Sequence, residues 1–541
     1  MTQIFSLSTA SLISGPNPWL TARQVKTNRT LIMALINDFA GVRRWRRLRA
    51  LGMVPLLACV LLNKGVCSEL PVAEEVFRRH VEAIGGAEAL RRPTNLVFRG
   101  EVDMVSMKVK GALEFLINGP DRFFYHFKYH HAFFGKIRVP LVGKREVEWG
   151  SDGTNGWTVD MERNIDSLSA VNQTFLRSML DKFSPLYFGR NFSQARTLDV
   201  EQFAGRDCYR VLLVFPSGRH AFEYYEVERG LLAGATYPFD TDEGTINIGM
   251  AYSDFRHSSK GLLLPFQMEL KAGNQQFIFR AAEIRADAPG ATVPGSKCKS
   301  ISDSDVFLKS ASVPANEIIE KYLQALGGRD AIQRHTSLRL TGLFEVAGPK
   351  GFSSPIEIFS AVTNRFYFKL RLPTGPHRQG CDGQNYWEAN GEHFEFLTGK
   401  NLEQKLTQRQ FAAELHEPED FRSIETLGTL TLDGREDHQL LLIRRNGEVF
   451  DEFYDVKTGL LHARRYTDMA KGGFLTTLEM YANYRRFGDR LLPAHQTFKA
   501  PGVAPTLAIS DAEWDKVPDT VFTLPKEAKA ALLSKDSTGA K

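Results

Sequence analysis

The stretch Val81–Arg92, VEAIGGAEALRR, is answered by Tyr322–Arg334, YLQALGGRDAIQR. In each, apolar residues at helical spacing run into paired glycines. Val72, Val76, Val81 and Ile84 precede Gly85-Gly86, and Ile318, Ile319, Tyr322, Leu323 and Leu326 precede Gly327-Gly328. The spacing predicts two amphipathic helices, entered after Pro71 and Pro314. Glycine stops them because it takes the left-handed C′ conformation at no steric cost. A further helical turn is expected at Ala87–Arg91 and at Arg329–Arg334.

The echo continues outward. SDGTNGWTV from Ser151 matches CDGQNYWEA from Cys381, and FAGRDCYRV from Phe203 matches LDGREDHQL from Leu432. EYYEVERGLL from Glu223 matches EFYDVKTGLL from Glu452; YSDFR and LLLP, ending at Arg256 and Pro265, match YANYR and RLLP, ending at Arg485 and Pro493. The landmarks keep their order at an offset of about 230–240 residues, which is the size of a domain and far longer than a solenoid repeat. Two copies of one domain are therefore expected.

Between landmarks the period changes from helical to alternating. LVFRGEVDM from Leu96, SLRLTGLFEV from Ser337, and the aromatic-rich runs from Gly111 and Ser354 read as strands. Asp152-Gly153 and Asp382-Gly383 are hairpin signals before strands carrying Trp157 and Trp387. Helical or irregular segments interrupt the strands at 164–188 and 401–421. The fold class expected is α+β: tandem copies of a curved antiparallel sheet, an incomplete β-barrel, closed by helices. The boundaries are a leader over 1–68, domains over 69–286 and 313–526, a linker over 287–312 and a disordered tail over 527–541.

The leader holds most of the chain's charge. Net charge is +5, yet residues 1–68 carry nine basic side chains against Asp38, so the rest is mildly acidic and gives no footprint for nucleic acid. Arg43–Arg49 followed by the apolar Ala50–Leu62 has the form of a signal peptide and is short for a membrane span. Cleavage after Ser68 is preferred over lipidation at Cys59, although Leu56-Leu57-Ala58-Cys59 resembles a lipobox. A periplasmic location follows. Cys208, Cys298 and Cys381 remain beyond the leader; their odd number and unmatched positions make them structural thiols.

The repeated residues resemble the bacterial lipoprotein-localisation (LolA/LolB-like) superfamily, in its exported members whose first helix reads Y-x-x-A-x-G-G. Tyr322–Gly328 fits that pattern, and His80–Gly86 fits it with histidine in place of tyrosine. The resemblance covers about 70–285 and 313–526. It implies an open barrel wrapped over helices around an apolar cavity. The implied role is a carrier or binding protein for a lipid, an acylated lipoprotein or another hydrophobic ligand, with no cofactor and transient membrane contact at most. An envelope protein-interaction, stress-sensing or assembly module is the alternative. Candidate ligand-binding residues are Phe123, Tyr125 and Phe127 in the first copy and Phe366 and Phe368 in the second. Alternating aromatics suit a packed core equally well, and the two readings part on whether a void exists.

Enzymatic signatures are weak. There is no phosphate loop and no nucleophile elbow. His416-Glu417-Pro418 lacks the second histidine of a zinc helix. His126, His130 and His131 cluster, but two share a strand face and the third opposes them. Asp303 and Asp305 read as a loop before a strand. Asp152 and Asp382 occupy one repeat position, as turn-forming aspartates do and a catalytic pair does not. The chain is expected to be no enzyme. Differences at matched positions, His80 against Tyr322 and Cys208 against Asp437, leave room for one binding copy and one structural copy.

Overall fold

The computed structural model describes residues 70–529, except 120, 135–136, 141–145, 161–162, 182–183, 242–243, 259, 274, 296–306, 349–350, 392, 471–472 and 527. The leader, the Asp303/Asp305 segment, Cys298 and nearly all of the tail lie outside the described residues.

The N-terminal half begins with helix α1 (Ala73–Ala83), whose face of Ala73, Val76, Phe77, His80 and Val81 is buried, while Glu74 and Glu75 lie in the first turn, where a carboxylate suits the helix dipole. Gly85, at φ 117°, ends it; a Cβ there would come within 2.7 Å of the Gly261 carbonyl oxygen. Helix α2 (Gly86–Arg91) follows. Seven strands come next: β1 (Asn95–Met104), β2 (Val109–Asn118), β3 (Arg122–Phe134), β4 (Ile137–Pro140), β5 (Glu146–Asp152), β6 (Gly156–Val159) and β7 (Ile165–Ser167). Helix α3 (Ala170–Leu180) is capped by the Ser169 hydroxyl, which accepts from the Asn172 amide. Then come β8 (Gln194–Phe203), β9 (Arg206–Val214), β10 (His220–Glu226), β11 (Leu232–Thr241), β12 (Gly244–His257), β13 (Leu263–Ala272) and β14 (Gln275–Ala286).

All pairings are antiparallel. β7 through β5 continue into β3, β2 and β1; β1 joins β14, and the meander runs back to β8. Among the described residues β7 and β8 do not pair with each other, so the sheet is open.

The C-terminal half follows the same order with one strand fewer, nothing among the described residues matching β4. It has helices α4 (Ala315–Leu326) and α5 (Arg329–Arg334), strands β15 (Ser337–Val346), β16 (Phe352–Ala361), β17 (Arg365–Leu372), β18 (Gly375–Asp382), β19 (Tyr386–Asn390) and β20 (His393–Phe396), then helix α6 (Gly399–Gln408). The meander is β21 (Phe421–Leu432), β22 (Arg435–Arg444), β23 (Val449–Asp455), β24 (Leu461–Ala470), β25 (Gly473–Phe487), β26 (Arg490–Lys499) and β27 (Thr506–Trp514). β15 joins β27 with a register shift at Thr341/Gly342, as β1 joins β14 with one at Arg99/Gly100.

Matched residues do matched jobs. Asp152 accepts from the Thr154 and Asn155 amides at 2.9 and 2.8 Å, and Asp382 from those of Gln384 and Asn385 at 3.0 and 2.8 Å, so both are turn-forming. Trp157 and Trp387 are fully buried, each lying on a glycine of the neighbouring strand. A Cβ on Gly150 or Gly380 would stand 2.4 Å from the indole.

The halves meet through residues at corresponding positions. Asn247 donates to Thr476 at 2.7 Å, and Arg196 pairs with Glu425, each pair 229 residues apart. Arg210 donates to the Gly447 carbonyl at 2.8 Å, while Gln439 donates to the Gly218 carbonyl at 2.7 Å. Leu212 and Val214 of β9 pack with Leu441 and Ile443 of β22. Each half thus offers the other the same patch, as in a two-fold interface.

Candidate functional site

The N-terminal half encloses an apolar cavity of about 240 Å³ between the sheet and its helices. Period-two alternation aims Leu113, Phe115 and Ile117 of β2 inward, and β1 adds Leu96 and Phe98. Phe77 and His80 of α1, Ile84 just past its end, and Met179 of α3 form the opposite wall. The rim lies along β13, where Leu264, Phe266 and Met268 line the space and none is fully buried. In its counterpart β26 half of the residues are buried.

Three tyrosines (Tyr125, Tyr225 and Tyr252), two acids and His80 give the cavity its main polar features. Glu223 on β10 is buried and lines the space. It accepts the Tyr225 hydroxyl at 2.5 Å and the Tyr237 hydroxyl at 2.6 Å. Burial pushes its carboxyl above the ordinary range, and those two hydrogen bonds offset the push only in part. No ion pair to Glu223 occurs among the described residues. His80 donates from Nδ1 to the Gly230 carbonyl at 3.0 Å; burial brings its imidazole down to about 4, so it is neutral. Asp181, just past the end of α3, also lines the space; Asn191 donates to it at 3.1 Å, and the Arg190 guanidinium forms an ion pair with it at 3.6 Å.

The same place in the C-terminal half is filled with charge. Across the strands, the register column Glu223, Ala235, Met250, Leu270 becomes Glu452, Arg464, Glu479, Phe498. Arg464 Nε donates to Glu452 at 3.0 Å, and His416 Nε2 donates to it at 2.7 Å from the other side. Burial opposes ionisation of Glu452, but His416 and Arg464 outweigh it and hold the carboxyl well below its usual range. Burial pushes the Glu479 carboxyl up to about 8. Arg490 and Glu414 form a second fully buried pair. Among the described residues this half keeps a void of about 30 Å³ beside Phe366 and Arg409, and a second of about 150 Å³ beside Leu461, Tyr481 and Tyr484, where Arg435, Asp455 and His462 also line the space.

Of the aromatic residues singled out from the sequence, Tyr125 lines the large cavity, stacked on Phe115 at 3.9 Å. Phe123 and Phe127 pack around it in the core, Phe127 against Phe279 at 5.7 Å. Phe366 borders the small void under the Arg409 guanidinium, at 4.2 Å, and Phe368 is buried against His377 at 5.6 Å. Glu223, Tyr225, Tyr252 and Met268 were not singled out. A signal for Glu223 existed: it alternates with Tyr225 in a strand whose other inward positions are apolar.

Two other clusters are accounted for structurally. A cleft of about 220 Å³ between the halves is lined by Arg210, Arg219 and Arg465, but these already pair with Asp199, Asp240 and Asp451. On the outer face of β3 and β5, one donor atom each from His126, Glu146 and Glu148 lie within 4.8 Å of one another. Arg163 stands 3.2 Å from Glu148 and 3.9 Å from Glu146, and Lys128 stands 3.8 Å from Glu146, so two cations balance the two carboxylates. The side chains of His130 and His131 lie outside the described residues. Cys208 and Cys381 are buried free thiols, each pushed up to about 11 by burial. Among the described residues no helix is long and apolar enough to cross a membrane.

No protein-family model matches the chain, and no curated protein matches it in sequence. Solved structures do. A LolA superfamily protein from Nitrosomonas europaea matches over 39% of this chain and 99% of its own, at 15% identity and a TM-score of 0.29. A DUF1329 family protein from Desulfovibrio piger matches over 39% and 98%, at 10% identity and a TM-score of 0.30. The lipoprotein LppX of Mycobacterium tuberculosis matches over 38% and 97%, at 11% identity and a TM-score of 0.18.

Proposed function

We propose that this chain is an exported, periplasmic binding protein or carrier for a hydrophobic ligand (a lipid or the acyl chain of a lipoprotein), built as two tandem LolA-like domains of which only the first binds. The observation that carries this reading is the contrast between matched interiors: about 240 Å³ of largely apolar space in one half, against about 30 Å³ beside buried ion pairs and a separate 150 Å³ lined by Arg435, Asp455 and His462 in the other. Repeated strand order, repeated turns and the two-fold style of contact support the tandem arrangement. The signal-like leader supports export.

The energetics suit a carrier. Each methylene moved from water into such a space gains about 0.8 kcal/mol, so a sixteen-carbon chain represents roughly 12 kcal/mol gross. A cavity that takes part of the chain and leaves the rest at the open rim along β13 recovers a fraction of that, which permits release. The C-terminal half, whose interior is occupied by its own side chains, serves as the scaffold against which the first is held.

The test is native mass spectrometry of protein purified from the periplasm, together with titration of the hydrocarbon probe diphenylhexatriene. Co-purified lipid and saturable probe binding are expected. Absence of both refutes the reading.

A further inference from the structure

The two halves place the same glutamate at the same register position and treat it in opposite ways. Glu452 has a guanidinium on the adjoining strand, from Arg464, and an imidazole, from His416. Glu223 has Ala235 at the position of Arg464, and only tyrosine hydroxyls as donors. The rest of the cavity supplies no replacement. Its ionisable lining residues are His80, Asp181, Glu223 and tyrosines, with no lysine or arginine. His80 spends its Nδ1 proton on the Gly230 carbonyl. Arg190 pairs with Asp181, so among the described residues Glu223 is the lining carboxylate with no cation beside it; an apolar chamber with such a group in its wall repels an anionic ligand and is completed by a cationic one.

Resting on the binding role proposed above, we infer that the cavity is selective for an apolar molecule bearing a positively charged nitrogen, an ammonium or guanidinium on an aliphatic body, whose head takes the place against Glu223 that Arg464 takes against Glu452. The aliphatic part packs on Leu113, Phe115 and Met268. A free fatty acid, with its carboxylate end, is the wrong ligand for this wall. The Tyr225 and Tyr237 hydroxyls fix the Glu223 carboxylate in place, so the head group meets a prepared acceptor.

The experiment uses the full chain and three probes of equal length, dodecylamine, dodecanol and dodecanoate, each displacing diphenylhexatriene at pH 7.5. The amine should displace at concentrations at least tenfold lower than the alcohol, and the carboxylate should be weaker than both. Glu223→Gln should weaken the amine at least tenfold relative to the alcohol, each measured against the variant's own diphenylhexatriene affinity. Ala235→Arg supplies the cation from the protein and should erase the preference for amine; it keeps the test decisive if the glutamine variant fails to fold. An amine no tighter than the alcohol overturns the inference while leaving hydrocarbon binding intact. So does a preference that survives either substitution. Failure of the wild-type chain to bind diphenylhexatriene overturns the cavity reading and the inference with it.

Discussion

His80 lines the cavity of the N-terminal half with its imidazole buried and its Nδ1 bonded to a backbone carbonyl. Burial lowers its folded value to about 4, against 6.5 for the free side chain. Between those values the unfolded chain takes up a proton that the folded chain refuses, so stability rises with pH across the window. The His80 contribution is fully present above 6.5 and is lost as pH falls toward 4. Each pH unit in the window is worth about 1.4 kcal/mol, which gives about 3 kcal/mol in total. His80→Gln keeps a donor for the Gly230 carbonyl and removes the titration. At pH 7.5 the variant should match the wild type or fall slightly below it; at pH 4.5 it should be the more stable by about 2–3 kcal/mol. Glu223 titrates in both proteins and cancels in the difference. Cys208 and Cys381, one buried thiol in each half, report the two unfolding events separately. Labelling with dithiodipyridine, which reacts in acid, against urea concentration gives the N-terminal transition through Cys208. A wild-type-minus-variant difference that stays flat from pH 7.5 to 4.5 refutes the reasoning. A change confined to Cys381 refutes it as well.

Arg490→Met removes the guanidinium paired with Glu414 in the C-terminal core and should cost that half about 3–5 kcal/mol in a Cys381 urea profile, most of it recovered in the double variant with Glu414→Leu. Gly150→Ala and Gly380→Ala each drive a methyl into an indole and should destabilise their own half by about 1–3 kcal/mol, with similar values for the two sites because the packing is matched. Met268→Trp places a large side chain in the open cavity; diphenylhexatriene fluorescence titration should show binding lost, while the Cys208 urea midpoint stays within about 1 kcal/mol of wild type, since the ring fills space that is already apolar.

Local rules made much of the architecture legible. The glycine pairs at 85–86 and 327–328 end helices because any other residue would be strained there. Asp152 and Asp382 could be assigned to turns because aspartate bonds its own backbone two and three residues on. The aromatic strand runs were readable as inward faces, yet of Phe123, Tyr125, Phe127, Phe366 and Phe368 only Tyr125 borders the large cavity. Alternation says which way a side chain points; it says nothing of what stands opposite. Whether Phe366 meets empty space or a guanidinium depends on Arg409, more than forty residues away. The difference between the halves was also hidden. It is written in a column that crosses four strands, Glu223, Ala235, Met250 and Leu270 against Glu452, Arg464, Glu479 and Phe498, and becomes visible only when the register is known.

The central claim is that one interior is open and its counterpart is filled by the chain's own charges. Diphenylhexatriene titrated into the full chain, with saturation counted against protein concentration, addresses it directly. The account predicts one equivalent per chain, abolished by Met268→Trp. Two equivalents, or a single equivalent that survives Met268→Trp, would contradict it.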